Sequence, residues 1–375
     1  MFLQIHTLTS YPASLLNRDD AGLAKRIQFG NAIRQRVSSQ CLKRHWRETL
    51  QQDLPEIPDG LRTRHFFSRV ILPRVLEAGI AEKQANELVE TLTAALVKGG
   101  VSGVEMEQPV LFGTREADYF VNMILEVAKD QSGNPLRALK ERLSSRDEKK
   151  NLEAMKSAAG LASALFGRMV TSDLLARVDA PVHVAHAITV HAANTEMDYF
   201  TVVDDLARDE ETGAAHANQT ELGAGVYYGY VAVDVPLLVS NLTGADAKKW
   251  REQDGALAQK ILDALVRAIA EKSPGAKKGS TAPYSRAETV LLEVGPQQPR
   301  QLCNAFLDAL STRGQLLQTA SARLAEQMKK LDAMYGQTAD TRKLSTLYPD
   351  VNFGVPAQPL NDSIQSALDA VWSRA

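Results

Sequence analysis

Residues 226–235 read VYYGYVAVDV. Valine and tyrosine at this density, with no helical period, spell a strand. Upstream, residues 181–191 (PVHVAHAITVH) read as a second strand. Between them lie 34 polar, acidic residues, 192–225, with Gly213 and Gly223. A loop of that length inside a compact domain is usually functional or disordered. Downstream, Leu257, Ile261, Leu265 and Ile269 recur in phase and predict an amphipathic helix over 244–271. Residues 289–294 predict a strand, and 299–311, 318–335 and 361–373 predict helices. At the other end, residues 2–8 alternate as a strand, and 10–30 read as a long irregular loop around Pro12, Asn17 and an Asp-Asp pair. Ser38 or Ser39 can cap a helix running to about Leu50. Past a break at Pro55 and Pro58, residues 62–165 are mostly helical in pattern, as Leu88, Leu92 and Leu96 show. Strand, helix, helical block, two strands, helix, strand, helix predicts an α+β fold. A ferredoxin-like core with a helical insertion fits that order.

The chain has 375 residues, long enough for about two domains and a large core without staples. Its two cysteines, Cys41 and Cys303, are far apart, which excludes a cysteine zinc site and a disulfide scaffold and fits a reducing compartment. The first residues lack the basic and apolar runs of a signal peptide, and no stretch approaches 18 apolar residues. A cytoplasmic protein of bacterial type, with no membrane partner, is expected.

Net charge is −2, which argues against a generic nucleic-acid binder. The charge is nevertheless segregated. Residues 17–47 carry eight Lys/Arg against two Asp, a local +6. Residues 187–225 carry eight acids against one Arg, a local −7. Residues 272–286 hold four cations and no acid. The basic part can hold a polyanion, and the acidic part can meet the basic part of another copy, head to tail. The alternative is two solvated surfaces.

No phosphate-loop, dinucleotide, HExxH or GxSxG signature is present. The Gly-Lys-rich stretch at 275–281 has the wrong spacing for a phosphate loop and reads as a flexible basic loop. His183 and His186, three apart on a strand, point to opposite faces and cannot chelate one ion. Asp19 with Asp20, and Asp204 with Asp205, read first as turn formers or solvated charge. No metal, catalytic group or cofactor is expected.

The segment from Val37 to Leu50 is more informative. Leu42, Trp46 and Leu50 share a face that would be buried. Lys43 and Arg47 lie on an adjacent face, with Arg44 nearby. Cations in the first turns oppose the helix dipole, at roughly 0.3–1 kcal/mol each. A bound anion would offset that cost, aided by N–H groups near Ser38, Ser39 and Gln40. With Lys25, Arg34 and Arg36 just upstream, the segment reads as a phosphate-binding site.

Eight stretches then form a pattern: LNRDD (16–20), FG (29–30), VSSQCLKR (37–44), GRM (167–169), AHAIT (185–189), DYFT (198–201), VDDL (203–206) and GVYY (225–228). In this order they resemble CasC, the backbone-subunit family of the type I-E CRISPR surveillance complex Cascade, a branch of the RAMP superfamily. The resemblance covers nearly the whole chain and is strongest at 1–47 and 160–235. It implies a modified RNA-recognition-motif palm (1–53, 166–191 and 226–375), helical fingers (54–165) and a protruding thumb (192–225). It implies a non-catalytic protein of antiviral defence that oligomerises along the spacer of a CRISPR RNA and kinks it at regular intervals. That guide is then presented to target DNA. The partners implied are CRISPR RNA, target DNA through the guide, other copies of the chain, and the large, small and handle-binding subunits. By carry-over, Lys25, Arg36, Lys43, Arg47 and Met169 touch RNA, supported by Arg18, Ser38, Ser39, Gln40, Arg44 and Arg168. Ala32, Ile33 and Gln35 dilute a linker that is more basic in the family. The rival is a metal-dependent ribonuclease of the same superfamily, with Asp19 or Asp20 as its loop aspartate.

Overall fold

The computed structural model describes residues 1–97, 99–129, 133–155, 159–168, 177–202 and 216–373. In chain order the elements are β1 (Phe2–Ser14), β2 (Arg26–Phe29), β3 (Ala32–Val37), α1 (Ser39–Asp53), β4 (Gly60–Thr63), α2 (Leu72–Glu77), α3 (Glu82–Leu96), β5 (Val101–Ser102), β6 (Glu105–Met106), β7 (Val110–Gly113), α4 (Thr114–Lys129), α5 (Pro135–Ser144), α6 (Arg146–Ala154), α7 (Leu161–Phe166), β8 (Val182–Val184), β9 (Ala187–Thr189), β10 (Thr195–Val202), β11 (His216–Asp234), α8 (Val235–Thr243), α9 (Ala256–Glu271), α10 (Lys278–Thr281), β12 (Thr289–Gly295), α11 (Leu316–Tyr335), β13 (Thr341–Thr346) and α12 (Leu360–Trp372). The chain divides into two compact units. One comprises residues 1–50, 184–233 and 259–375; the other comprises 51–183 and 234–258.

In the first unit the sheet runs β13-β12-β1-β11-β9-β3-β2, and β10 pairs with β11 off this path. The ladders β1–β12, β12–β13, β11–β9, β10–β11, β3–β9 and β2–β3 are antiparallel. The order β12-β1-β11-β9, with α1 after the first of these strands in sequence and α9 before the last, is that of the expected ferredoxin-like core. The α+β expectation is borne out. Alternation along β1 serves two layers. Leu8 joins Val226, Tyr228, Leu291 and Leu344 under Leu324, Ala325 and Met328 of α11. Thr7, Thr9 and Tyr11 instead face Leu42 and Trp46 of α1 and Ile269 of α9, around a small cavity of about 40 Å³.

The second unit has its own core. Phe66 and Phe112 stack with ring centroids 4.1 Å apart, among Leu88, Leu92, Phe120 and Ile124 of α3 and α4. This unit extends past the expected boundary at 165 and takes in residues 234–258.

Several expectations are corrected. β1 continues to Ser14 and β2 lies within the expected 10–30 loop, while β3 occupies a stretch for which no element was expected. The turn between them rests on Gly30 (φ +58°), where a Cβ would lie 1.7 Å from the Leu307 carbonyl oxygen, so only glycine fits. The 192–225 segment is no irregular loop at its root. β10 and β11 pair from Thr195↔Gly223 to Val202↔His216, and residues 203–215 lie outside the described residues. The helical block also holds β4 to β7. The 244–271 helix starts only at Ala256, whose N–H is taken by Asp254 (2.9 Å). The helix expected at 299–311 shrinks to a 3-10 turn, Cys303–Phe306. The Phe306 carbonyl accepts from Arg34 (2.8 Å), and the Leu310 N–H that a helix would bring to it goes to the Val190 carbonyl (3.0 Å).

Candidate functional site: a cationic helix N-terminus

The site is built on the start of α1 and lies wholly in the first unit. Ser38 is the N-cap: its Oγ accepts the Cys41 N–H (3.3 Å) and its carbonyl accepts the Leu42 N–H (3.1 Å). The hydroxyl is thus committed to the helix, as the cap expected at Ser38 or Ser39. The Ser38 N–H donates to Asn17 Oδ1 (2.8 Å), while the Asn17 carbonyl accepts the Lys25 N–H (2.9 Å). Asn17 therefore ties the 17–25 loop to the helix, a role the sequence reading missed. Among the described residues, no side chain caps the N–H groups of Ser39 and Gln40, which retain the donor character of a helix terminus.

The loop itself is closed by Asp19. Its Oδ1 accepts the N–H groups of Ala21 (3.0 Å) and Leu23 (2.9 Å), and Gly22 turns at φ +85°. Arg18 is exposed on the bridge Arg18↔Ala24. Asp19 serves as a turn former here. Among the described residues, no three His, Cys, Asp or Glu side chains gather as metal ligands would.

Cations converge on this terminus from three parts of the chain. Burial raises the Cys41 thiol pKa, and the charges of Arg44, Lys25 and Lys278 oppose it. Burial lowers the His45 pKa, and Lys278 and Arg44 push the same way. Burial lowers the His186 pKa, and so do Arg36 and Lys25. Arg36 also donates to His186 Nδ1 at 2.9 Å and to the Arg26 carbonyl at 3.3 Å. The β2–β3 strands, the first turns of α1 and the 275–281 loop are thereby brought together. Lys43 is half-buried, which lowers its pKa. Arg44 is 71% exposed and pairs with Glu48 (2.8 Å). Arg47 is half-buried one turn further on. Burial penalises the charged form of this lysine, a cost that a bound anion would offset.

Two arginines belong elsewhere. Arg34 is fully buried and donates to the carbonyls of Thr189 (3.1 Å) and Phe306 (2.8 Å), so it is part of the scaffold. Arg168, expected to touch RNA, is buried in the second unit. Its Nη1 lies 2.7 Å from both Glu116 carboxylate oxygens. That expectation is corrected, because a guanidinium so committed has no surface to offer. Met169 lies outside the described residues. Lys278 is the cation the sequence reading undervalued; only the Gly-Lys composition of its loop hinted at it.

The 192–225 hairpin is attached to the same region. Glu221, buried on β11, accepts the Ala24 N–H (2.7 Å) and pairs with Arg26, which also donates to Thr195 Oγ1 (3.0 Å). Beyond this root, Glu196, Met197, Asp198, Tyr199 and Phe200 are exposed.

An antiparallel sheet backed by helices, with a cationic helix start and a projecting hairpin, is an α+β scaffold suited to a polyanion. The chain belongs to the CT1975-like protein family, whose model matches residues 3–370. The resemblance to a CRISPR surveillance-complex backbone subunit is borne out. Among solved structures it is similar to a chain of a CRISPR RNA-guided surveillance complex, pre-nicking, at 26% identity and TM-score 0.78, covering 99% of this chain and 100% of that one. A chain of a second CRISPR RNA-guided surveillance complex, 22% identical with TM-score 0.62 and 99% coverage of both, shares the fold. A comparison with curated proteins finds no match. No helix among the described residues is long and apolar enough to cross a membrane.

Proposed function

We propose that the chain is a non-catalytic, CRISPR RNA-binding backbone subunit of a type I-E Cascade complex. Copies of it line up along the guide through their hairpins and present the guide to target DNA, in company with the large, small and handle-binding subunits. The observation that carries this reading is the convergence of Lys25, Arg36, Arg44 and Lys278 on the start of α1. Such a site holds phosphate without reading bases, which suits a guide of variable sequence. Sequence specificity then lies in base pairing, as in other RNA-guided effectors.

The test is the salt dependence of affinity. Each phosphate contact to a single strand contributes about 0.7 to the slope of log affinity against log salt. Lys43→Ala with Arg47→Ala is expected to weaken RNA binding and to flatten that slope by about 1.4. An unchanged slope rejects the phosphate assignment.

A further inference from the structure

The root of the β10–β11 hairpin grips the cationic loops at two points, through adjacent residues on opposite faces of β11. On one face, Glu221 takes the Ala24 N–H and pairs with Arg26, which fixes the loop that carries Lys25. On the other, Thr220 Oγ1 accepts from Lys277 Nζ at 2.5 Å, and the same ammonium lies 5.2 Å from the centroid of the Phe200 ring. Phe200 and Thr220 are diagonal neighbours on one face of the ladder, since Asp198 pairs with Thr220 and Phe200 with Asn218. Lys277 adopts φ +53°, a left-handed backbone that a non-glycine residue keeps only where its surroundings over-determine it. The next residue is Lys278, whose charge reaches Cys41 and His45 at the helix start.

We infer that Glu221, Thr220 and Lys277 link the phosphate site to the hairpin, so that RNA seated on one copy fixes the pose of its hairpin and the next copy joins the RNA more tightly than the first. The inference rests on the function proposed above. Its physics is linkage. The cations converge only while both loops are docked on the hairpin root, so phosphate favours the docked state. Docking in turn orders the surface the neighbour meets. Lys277 and Glu221 are positioning residues here, acting through Lys278 and Lys25.

The experiment compares an oligouridylate short enough to be saturated by one copy with one long enough for several. Occupancy is followed by anisotropy and mass photometry. Wild type is expected to fill the long RNA with a ratio of successive binding constants well above one. Thr220→Val keeps the β-branch and removes only the acceptor of Lys277; Lys277→Met removes the ammonium; Glu221→Gln keeps an acceptor for Ala24. Each variant is expected to lower that ratio by about fivefold or more, the lower end of typical allosteric couplings. Affinity for the short RNA is expected to fall as well, because undocked loops no longer present their cations together, while its salt slope, set by the docked state that binds, is expected to stay nearly unchanged. A ratio equal to wild type overturns the link. A reduced salt slope in Lys277→Met also overturns it, because Lys277 would then be a phosphate ligand. Wild type that ignores both oligonucleotides overturns the proposed function, and this inference falls with it.

Discussion

Arg168 and Glu116 face each other in an apolar part of the second unit, 1% and 3% exposed, with Glu116 also accepting the Gly113 N–H at 2.9 Å. Removing one partner of such a pair strands a buried charge, which costs about 3–5 kcal/mol; replacing both by apolar groups costs much less. Arg168→Met is therefore expected to destabilise the protein by that amount in urea unfolding. Arg168→Met with Glu116→Met is expected to recover most of the loss, short of about 1 kcal/mol for the Gly113 hydrogen bond. Equal losses in single and double variants contradict the pairing. The same residues show where sequence reading stops. Glu116 is 52 positions from Arg168, and the carbonyl partners of Arg34 are 155 and 272 positions away. A lone basic residue looks like surface until its partner is seen. Leu42, Trp46 and Leu50 were legible because their helical spacing is local, and all three are buried in α1.

At the scale of the element, β1 and β12 carry a buried polar chain across the sheet. The Leu302 N–H donates to Tyr228 Oη (3.0 Å), Tyr228 O–H to His6 Nδ1 (2.9 Å), and His6 Nε2–H to Glu293 (3.2 Å). Arg300 and Arg342 close on Glu293 at 2.5 and 2.7 Å. Burial lowers the His6 pKa and keeps the imidazole neutral. Burial alone would raise the Glu293 pKa, but the hydrogen bond from His6 and the pairing with Arg300 reverse this and hold it well below the usual carboxylate range. Both groups bind protons more readily in the unfolded chain than in the folded one. Stability therefore falls as pH drops, first below about 6.5 as the unfolded histidine titrates, then below about 4.5 as the unfolded glutamate does. Each group contributes a slope approaching about 1.4 kcal/mol per pH unit. His45, His186 and His191, whose values are also lowered, act in the same direction. Urea midpoints at pH 7 and pH 5 are expected to differ less in His6→Gln than in wild type, and an equal difference removes His6 from the account. Elements with local periodicity, β1, α11 and α12, were readable. β13 (TRKLST) and the first half of β11 (HANQTELGAG) lack apolar alternation, and their strands form because a partner strand supplies the ladder.

For the whole molecule, a net charge of −2 conceals an arrangement in which one acid of the hairpin, Glu221, is used within the chain while Glu196 and Asp198 stay exposed further along. Opposite charges on separate surfaces of one chain favour head-to-tail contact between copies, which extends along a line unless the rotation closes a ring. The two roles of the hairpin are therefore separable by length. Deleting residues 195–222 would remove Thr220 and Glu221 and undock the cationic loops as well. Replacing residues 201–217 with Asn-Gly keeps the ladder from Thr195↔Gly223 to Phe200↔Asn218, keeps Lys277 on Thr220 and Phe200, and supplies a two-residue turn suited to an antiparallel hairpin. This trimmed chain is expected to melt like wild type and to bind a short oligouridylate with the same affinity. On a long RNA, mass photometry is expected to show single or scattered copies in place of a filled array. Regular arrays formed by the trimmed chain would place the contact between copies outside the distal hairpin, and weakened binding to the short RNA would mean that this part of the hairpin holds the polynucleotide itself.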